Sequence, residues 1–253
     1  MKIFVTRPIP KIGIEMLKKK HTVTLQKERR NLSKKEMIAK VKDKNYDALL
    51  CLLTNKIDAD VMDAAGPQLK VISNYAVGFD NIDVEAAKKR SIIVTNTPSE
   101  EISISVAEHT FTLMLALSRR IVEADRFARA GKYMGWDPDL LIGQDLYDKT
   151  IGLLGMGRIG REVVKRARFG FCAKVLYYDL HRDSAFEKEY GAKYATQEEL
   201  LKTSDIVSVH VPLLPSTRHL ISTKALRLMK KTALLINTAR GPIVDEKAVL
   251  KAL

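Results

Sequence analysis

The segment that most constrains this chain is Ile151-Gly-Leu-Leu-Gly-Met-Gly-Arg-Ile-Gly160. A short apolar run meets three glycines, Gly155, Gly157 and Gly160. A helical pattern then opens through Ile159, Val163, Val164 and Ala167. A strand feeding a glycine turn at a helix N-terminus turns bare N–H groups and the positive end of the helix dipole toward an anion. The spacing alone also serves any tight strand-to-helix turn. Here a second apolar run, Lys174-Val-Leu-Tyr-Tyr178, ends in Asp179, about 20 residues further on. An acidic side chain at the tip of the second strand can accept hydrogen bonds from a ribose, so the pair reads as a dinucleotide site.

Such a unit commits the chain to an α/β fold with parallel strands, and the remaining pattern agrees. Residues 2–6, 22–25, 48–52, 71–73 and 92–95 read as strands. Segments near 11–20, 33–43, 58–66 and 83–90 read as helices, with Ser33, Asp58 and Asp83 as capping residues. Residues 103–121 form a nearly all-apolar helical run that must be buried between layers or domains. An irregular stretch, 131–148, holds the single tryptophan, Trp136. After strands 150–154 and 174–178 come a helix near 184–190 and a capping box, Thr196-x-x-Glu199, opening helix 197–203. Strand 205–211, helix 223–230, strand 233–236 and a helix capped by Asp245 complete the pattern. A nucleotide domain of this type carries six strands. Fewer than six are visible from residue 150 onward, so the sequence reads as cut short.

At 253 residues, with 46% hydrophobic and 29% charged residues, the chain has material for one large or two modest cores. No apolar run approaches the roughly 20 residues that cross a bilayer, and the N-terminus lacks a signal-peptide core. No membrane association is expected, and the cytoplasm is the expected location. Cys51 and Cys172 sit far apart on apolar runs and read as small buried hydrophobes; no spacing suggests a metal site. The net charge of +13 comes from lysines dispersed over helix faces, never beside interleaved aromatics, so no nucleic-acid partner is expected. A positive field does suit an anionic dinucleotide and an anionic substrate.

Three further segments carry chemistry. In Asn74-Tyr-Ala-Val-Gly-Phe-Asp-Asn-Ile-Asp83, successive N–H groups around Val77 and Gly78 suit a carboxylate; equally, the segment is a plain turn whose Asp83 caps the next helix. In Asn237-Thr-Ala-Arg-Gly-Pro-Ile-Val-Asp245, Arg240 follows a strand at the edge where ligands of open α/β sheets bind; its fork suits a carboxylate and its charge polarises a carbonyl. The alternative is a surface arginine. In His210-Val-Pro-Leu-Leu-Pro-Ser-Thr-Arg-His219, two prolines stiffen a loop beside the coenzyme, and His210 reads as support for that loop rather than as an acid–base group.

Together these segments resemble the D-isomer-specific 2-hydroxyacid dehydrogenases. The resemblance rests on residues 73–83, 105–120 (SVAEHTFTLMLALSRR), 152–163, 209–221 and 236–246, five motifs in order, and its first motif is most similar to the glyoxylate reductase branch. It implies a Rossmann-type doubly wound sheet at residues 99–253, a flavodoxin-like substrate domain at 1–98, and a cleft between them. It also implies hydride transfer between NAD(H) and a small 2-oxo or D-2-hydroxy acid, glyoxylate or hydroxypyruvate foremost. Val77, Gly78 and Arg240 would hold the substrate, with Arg240 the catalytic cation. Gly155, Gly157, Arg158, Ile159, Gly160, Asp179, His210, Val211, Pro212, Thr217, Thr238, Ala239 and Arg240 would line the coenzyme. Asp179 favours NAD over NADP by repelling a 2′-phosphate, with His181 and Arg182 leaving tolerance for NADP.

The family pattern continues past the arginine motif to a glutamate and then a proton-donating histidine in a T-P-H context. None of His21, His109, His181, His210 and His219 has that context, so the resemblance implies that these residues hold the arginine but not the acid. It also implies a homodimer through the apolar helix and the stretch 131–148. Relatives acting as corepressors give an alternative: an NAD(H)-binding regulatory protein without turnover.

Overall fold

Short, mostly apolar strands flanked by helices settle the architecture. In the computed structural model, which describes residues 1–253, the first nine elements are β1 (Lys2–Val5), α1 (Lys11–Lys18), β2 (Thr22–Leu25), α2 (Lys34–Val41), β3 (Ala48–Cys51), α3 (Ala59–Ala65), β4 (Val71–Asn74), α4 (Val84–Lys89) and β5 (Ile93–Thr95). All strand pairs are parallel, in the order β2-β1-β3-β4-β5, the flavodoxin-like winding. Alternation along the strands splits the core into two layers. Phe4, Leu49, Cys51 and Ile72 pack with Met37, Val61 and Ala87, while Ile3, Val5 and Ala48 pack with Ile14. Ser33 forms a full capping box with Glu36, and Asp58 and Asp83 cap α3 and α4.

The chain divides into two compact units, Met1–Ser99 and Glu100–Leu253. The second contains α5 (Glu100–Ser118), α6 (Ile121–Arg129), β6 (Thr150–Leu154), α7 (Arg158–Phe171), β7 (Lys174–Tyr178), α8 (Ser184–Tyr190), β8 (Ala192–Tyr194), α9 (Gln197–Thr203), β9 (Ile206–Val209), α10 (Thr223–Leu228), β10 (Leu234–Asn237) and α11 (Glu246–Ala252). Its parallel sheet runs β10-β9-β6-β7-β8, the doubly wound order with the switch point between β6 and β9. Ile151, Leu153, Val175 and Tyr177 pack on one face with Phe111 and Met114 of α5 and Val163, Val164 and Ala167 of α7. Leu154, Val207 and Val209 pack on the other with Leu200 and Leu201 of α9. No helix is long and apolar enough to cross a membrane.

Three local expectations need correcting. The apolar run 103–121 is two helices, because Arg120 is left-handed (φ 53°) and the Gln144 N–H caps the Ser118 carbonyl at 2.7 Å. Only a stripe of α5, including Ala107, Thr110, Phe111 and Met114, is buried. Cys172 is exposed, because it closes α7 as a left-handed C-cap (φ 50°) rather than continuing into β7; Cys51 is buried as expected. The capping box at Thr196 is half-formed: its hydroxyl accepts from the Glu199 N–H, with no return bond from the Glu199 side chain.

Candidate functional site

The glycine turn assigns each glycine a different physical job. Gly155 has φ +102°, and a Cβ there would stand 2.8 Å from the His210 carbonyl carbon, so its bareness lets β6 pass the backbone leaving β9. A Cβ on Gly160 would run into the Gly155 carbonyl oxygen, so that glycine seats α7 against the turn. Gly157 differs: its φ of −73° suits any residue, and a Cβ would meet nothing within 4 Å. The protein itself does not require glycine there. The N–H groups of Gly157, Arg158 and Ile159 take no partner in the chain, as expected of a first helical turn. Arg158 is exposed and Ile159 half-buried. Open space over three unengaged donors at a helix N-terminus fits a pyrophosphate.

Asp179 stands where β7 ends. Its Oδ2 accepts the Met156 N–H at 2.7 Å, tying the second strand to the glycine turn. Beside it opens a pocket of about 450 Å³ lined by Met156, Gly157, Arg161, Asp179, Arg182 and Asp183, among others. Arg182, read above as tolerance for NADP, is already engaged: its Nε and Nη2 donate to the two Glu187 oxygens at 2.8 and 2.9 Å.

His210 follows β9. Its N–H donates to the Leu154 carbonyl at 2.7 Å, and its Nε2 lies 2.9 Å from the Ser208 hydroxyl. Burial of the imidazole pushes its pKa down to about 4, so it is neutral near pH 7. Both contacts tie the start of the following loop to β6 and β9. Val211 is half-buried and Pro212 exposed; Thr217 closes the loop, its hydroxyl accepting from the Leu214 N–H (2.8 Å) and donating to the Pro212 carbonyl (2.6 Å).

At the end of β10 the Asn237 side chain staples the next loop, accepting the Ala239 N–H (3.0 Å) and donating to the Arg240 carbonyl (2.8 Å). The Thr238 hydroxyl meets that of Thr110 on α5 at 3.0 Å. Arg240 is half-buried, with Nη1 donating to the Ala239 carbonyl at 2.9 Å. Parallel pairing sets the glycine turn, Asp179, His210 and the Arg240 loop along one carboxyl edge of the second unit.

In the first unit, Val77 and Gly78 lie in the turn after β4, and their N–H groups also take no partner in the chain. What sequence reasoning missed is the support beneath. Asn74, Asn81 and Asn55 are buried side chains that bond one another's loops: Asn74 Nδ2 donates to the Gly78 carbonyl (2.7 Å), Asn81 Nδ2 to the Leu52 and Asn55 carbonyls (3.1 and 3.0 Å). Asn96 donates to the Val77 carbonyl at 2.7 Å. Three asparagines near strand ends were visible in the sequence, but nothing there told burial from exposure.

A doubly wound sheet with this turn defines a dinucleotide-binding α/β protein. The NAD binding domain of the D-isomer specific 2-hydroxyacid dehydrogenases matches residues 111–253. A glyoxylate reductase of Korarchaeum cryptofilum is 49% identical over the whole chain, which spans 75% of that protein. Among solved structures, the TT0316 protein of Thermus thermophilus superposes with a TM-score of 0.89 at 39% identity, covering 100% of this chain and 78% of its own. A D-lactate dehydrogenase of Aquifex aeolicus, complexed with NAD and lactic acid, gives 0.86 at 31%, covering 100% and 73%. The chain belongs to the D-isomer specific 2-hydroxyacid dehydrogenase family, the NAD-linked oxidoreductases of hydroxyacids.

Proposed function

We propose that the protein reduces a small 2-oxo acid, glyoxylate or hydroxypyruvate, to the D-2-hydroxy acid with NADH as the donor. The observation that carries this is Gly157: a glycine that the fold does not need, above three unengaged N–H groups, in a chain similar at 49% identity to a glyoxylate reductase. Residues 99–253 bind the coenzyme and residues 1–98 the substrate. Gly155, Gly157, Arg158, Ile159 and Gly160 cradle the pyrophosphate, Asp179 takes the ribose hydroxyls, and His210, Val211, Pro212, Thr217, Thr238 and Ala239 complete the lining. The bound coenzyme would supply the hydride. The Val77 and Gly78 N–H groups take the substrate carboxylate. Arg240 orients the acid and stabilises the negative charge that grows on the carbonyl oxygen.

The chain works as a homodimer in the cytoplasm. Support for the dimer comes from Leu117, Ile121, Val122, Tyr133, Met134 and Trp136, all exposed by half or more, within one stretch of the second unit.

Calorimetry with NADH tests the coenzyme site; absence of heat overturns it. Loss of NADH absorbance on adding glyoxylate tests the reaction, using a polypeptide carried through the glutamate and histidine of the family pattern. Binding without turnover there would favour a regulatory role instead. In the same assay Arg240→Gln should lower kcat/KM by about 100-fold or more, since a fixed cation on a developing oxyanion is worth that much.

A further inference from the structure

The pocket beside Asp179 is lined by two arginines, a composition that invites a phosphate, yet neither guanidinium faces it uncommitted. Arg182 is held as a bidentate fork on Glu187. Arg161, on the first turns of α7, donates to Asp183 at 2.6 Å and lies over the Phe186 ring at 4.7 Å. The carboxylates are themselves fixed from behind. Glu187 also accepts from the Tyr177 hydroxyl at 2.9 Å, and that hydroxyl accepts the Asp183 N–H at 2.8 Å. Asp183 caps α8 through the Phe186 N–H.

We propose that Glu187 and Asp183 are specificity-determining residues for the coenzyme, holding Arg182 and Arg161 away from a ribose 2′-phosphate so that the pocket takes the unphosphorylated dinucleotide. The proposal rests on the reading of this pocket as the adenosine ribose site. Asp179 alone is the obvious discriminator, but the local charge makes it one of three. Asp179 and Asp183 balance Arg161 and Arg182 in the pocket lining, and Glu187, behind Arg182, tips the count to one net negative charge against an incoming dianion. To serve a 2′-phosphate, Arg182 must also surrender two charge-assisted hydrogen bonds to a carboxylate anchored by a tyrosine. The Arg182 ion pair holds the Glu187 carboxyl below the usual carboxylate range, so the lock stays charged at neutral pH.

The proposal separates from an Asp179-only account by non-additivity. Asp179→Ser alone is expected to weaken NADH without a matching gain in NADPH, because both arginines remain engaged. Glu187→Gln, which keeps shape and polarity, is expected to raise the ratio of NADPH to NADH affinity about tenfold, the worth of one freed charge-assisted contact. Adding Arg182→Ala to Glu187→Gln should abolish that gain, a result that general loosening of α8 would not produce. Calorimetric titration of the 253-residue chain with each dinucleotide reads all of these without turnover. An unchanged ratio in Glu187→Gln, with NADH still bound, overturns the proposal alone. So does a gain that survives Arg182→Ala. Failure of the unsubstituted chain to bind either dinucleotide overturns the pocket reading instead, and this inference with it. Should Glu187→Gln not fold, Asp183→Asn asks the same of Arg161, since asparagine caps a helix as well as aspartate. A ratio unmoved there overturns the proposal equally.

Discussion

At the scale of single residues, the three motif glycines are chemically identical and structurally unlike. Gly160→Ala drives a methyl into the Gly155 carbonyl and should cost about 1–3 kcal/mol, read as a lower denaturation midpoint. Gly157→Thr occupies open space at an N-cap where threonine and glycine rank alike, so stability should hold within about 0.5 kcal/mol. Its branched side chain would nonetheless stand over the free N–H groups, and NADH affinity should fall more than tenfold. A stability loss in Gly157→Thr without a binding loss would reverse the assignment. His210 makes a pH prediction. Its folded pKa, about 4, lies below the ordinary value of 6.5, so the unfolded chain binds the proton more tightly. Stability is therefore full above pH 6.5 and is lost as pH falls from there to about 4, by about 1–3 kcal/mol. His210→Gln should flatten the denaturation free energy across that window relative to the unsubstituted chain.

At the scale of elements, helix ends decided more than helix interiors. α5 and α6 would read as one helix by composition, yet Ser118 finds its cap in Gln144, 26 positions away, and the break follows. α7 ends on Cys172 in a left-handed conformation that disfavours any Cβ. With its side chain exposed, Cys172→Gly removes that strain and loses no packing. It should stabilise by about 0.5–1 kcal/mol, seen as a melting point raised by a few degrees. A lowered melting point would mean that the thiol packs in a way its exposure does not suggest. The ends of β3 and β4 show the converse: buried asparagines, rather than turn composition, hold the loop that presents Val77 and Gly78.

At the scale of the whole molecule, the apolar surface on α5, α6 and the stretch after them bears on assembly. Trp136 is 85% exposed and is the only tryptophan, so its emission reports on that surface alone. The dimer reading expects a mass of twice 28.4 kDa by light scattering and a blue-shifted emission that reddens on dilution. Met134→Asp, at a residue 92% exposed, should give a folded monomer whose melting point no longer depends on protein concentration if the face is an interface. A monomeric mass for the unsubstituted chain ends the dimer reading.

The two sheets and the coenzyme turn were legible in sequence because their signals are local. Continuous apolar runs mean strands buried on both faces, and a glycine turn with an acidic residue about 20 positions on is read within one βαβ unit. What tertiary structure decided was each group's engagement, which depends on partners remote in sequence. It made Gly157 the one motif glycine with open space at its Cβ position, set Glu187 on Arg182, buried the asparagines under Gly78, and neutralised His210. Chain spacing says which residues can share a strand edge; only packing says which of their charges and donors are already used.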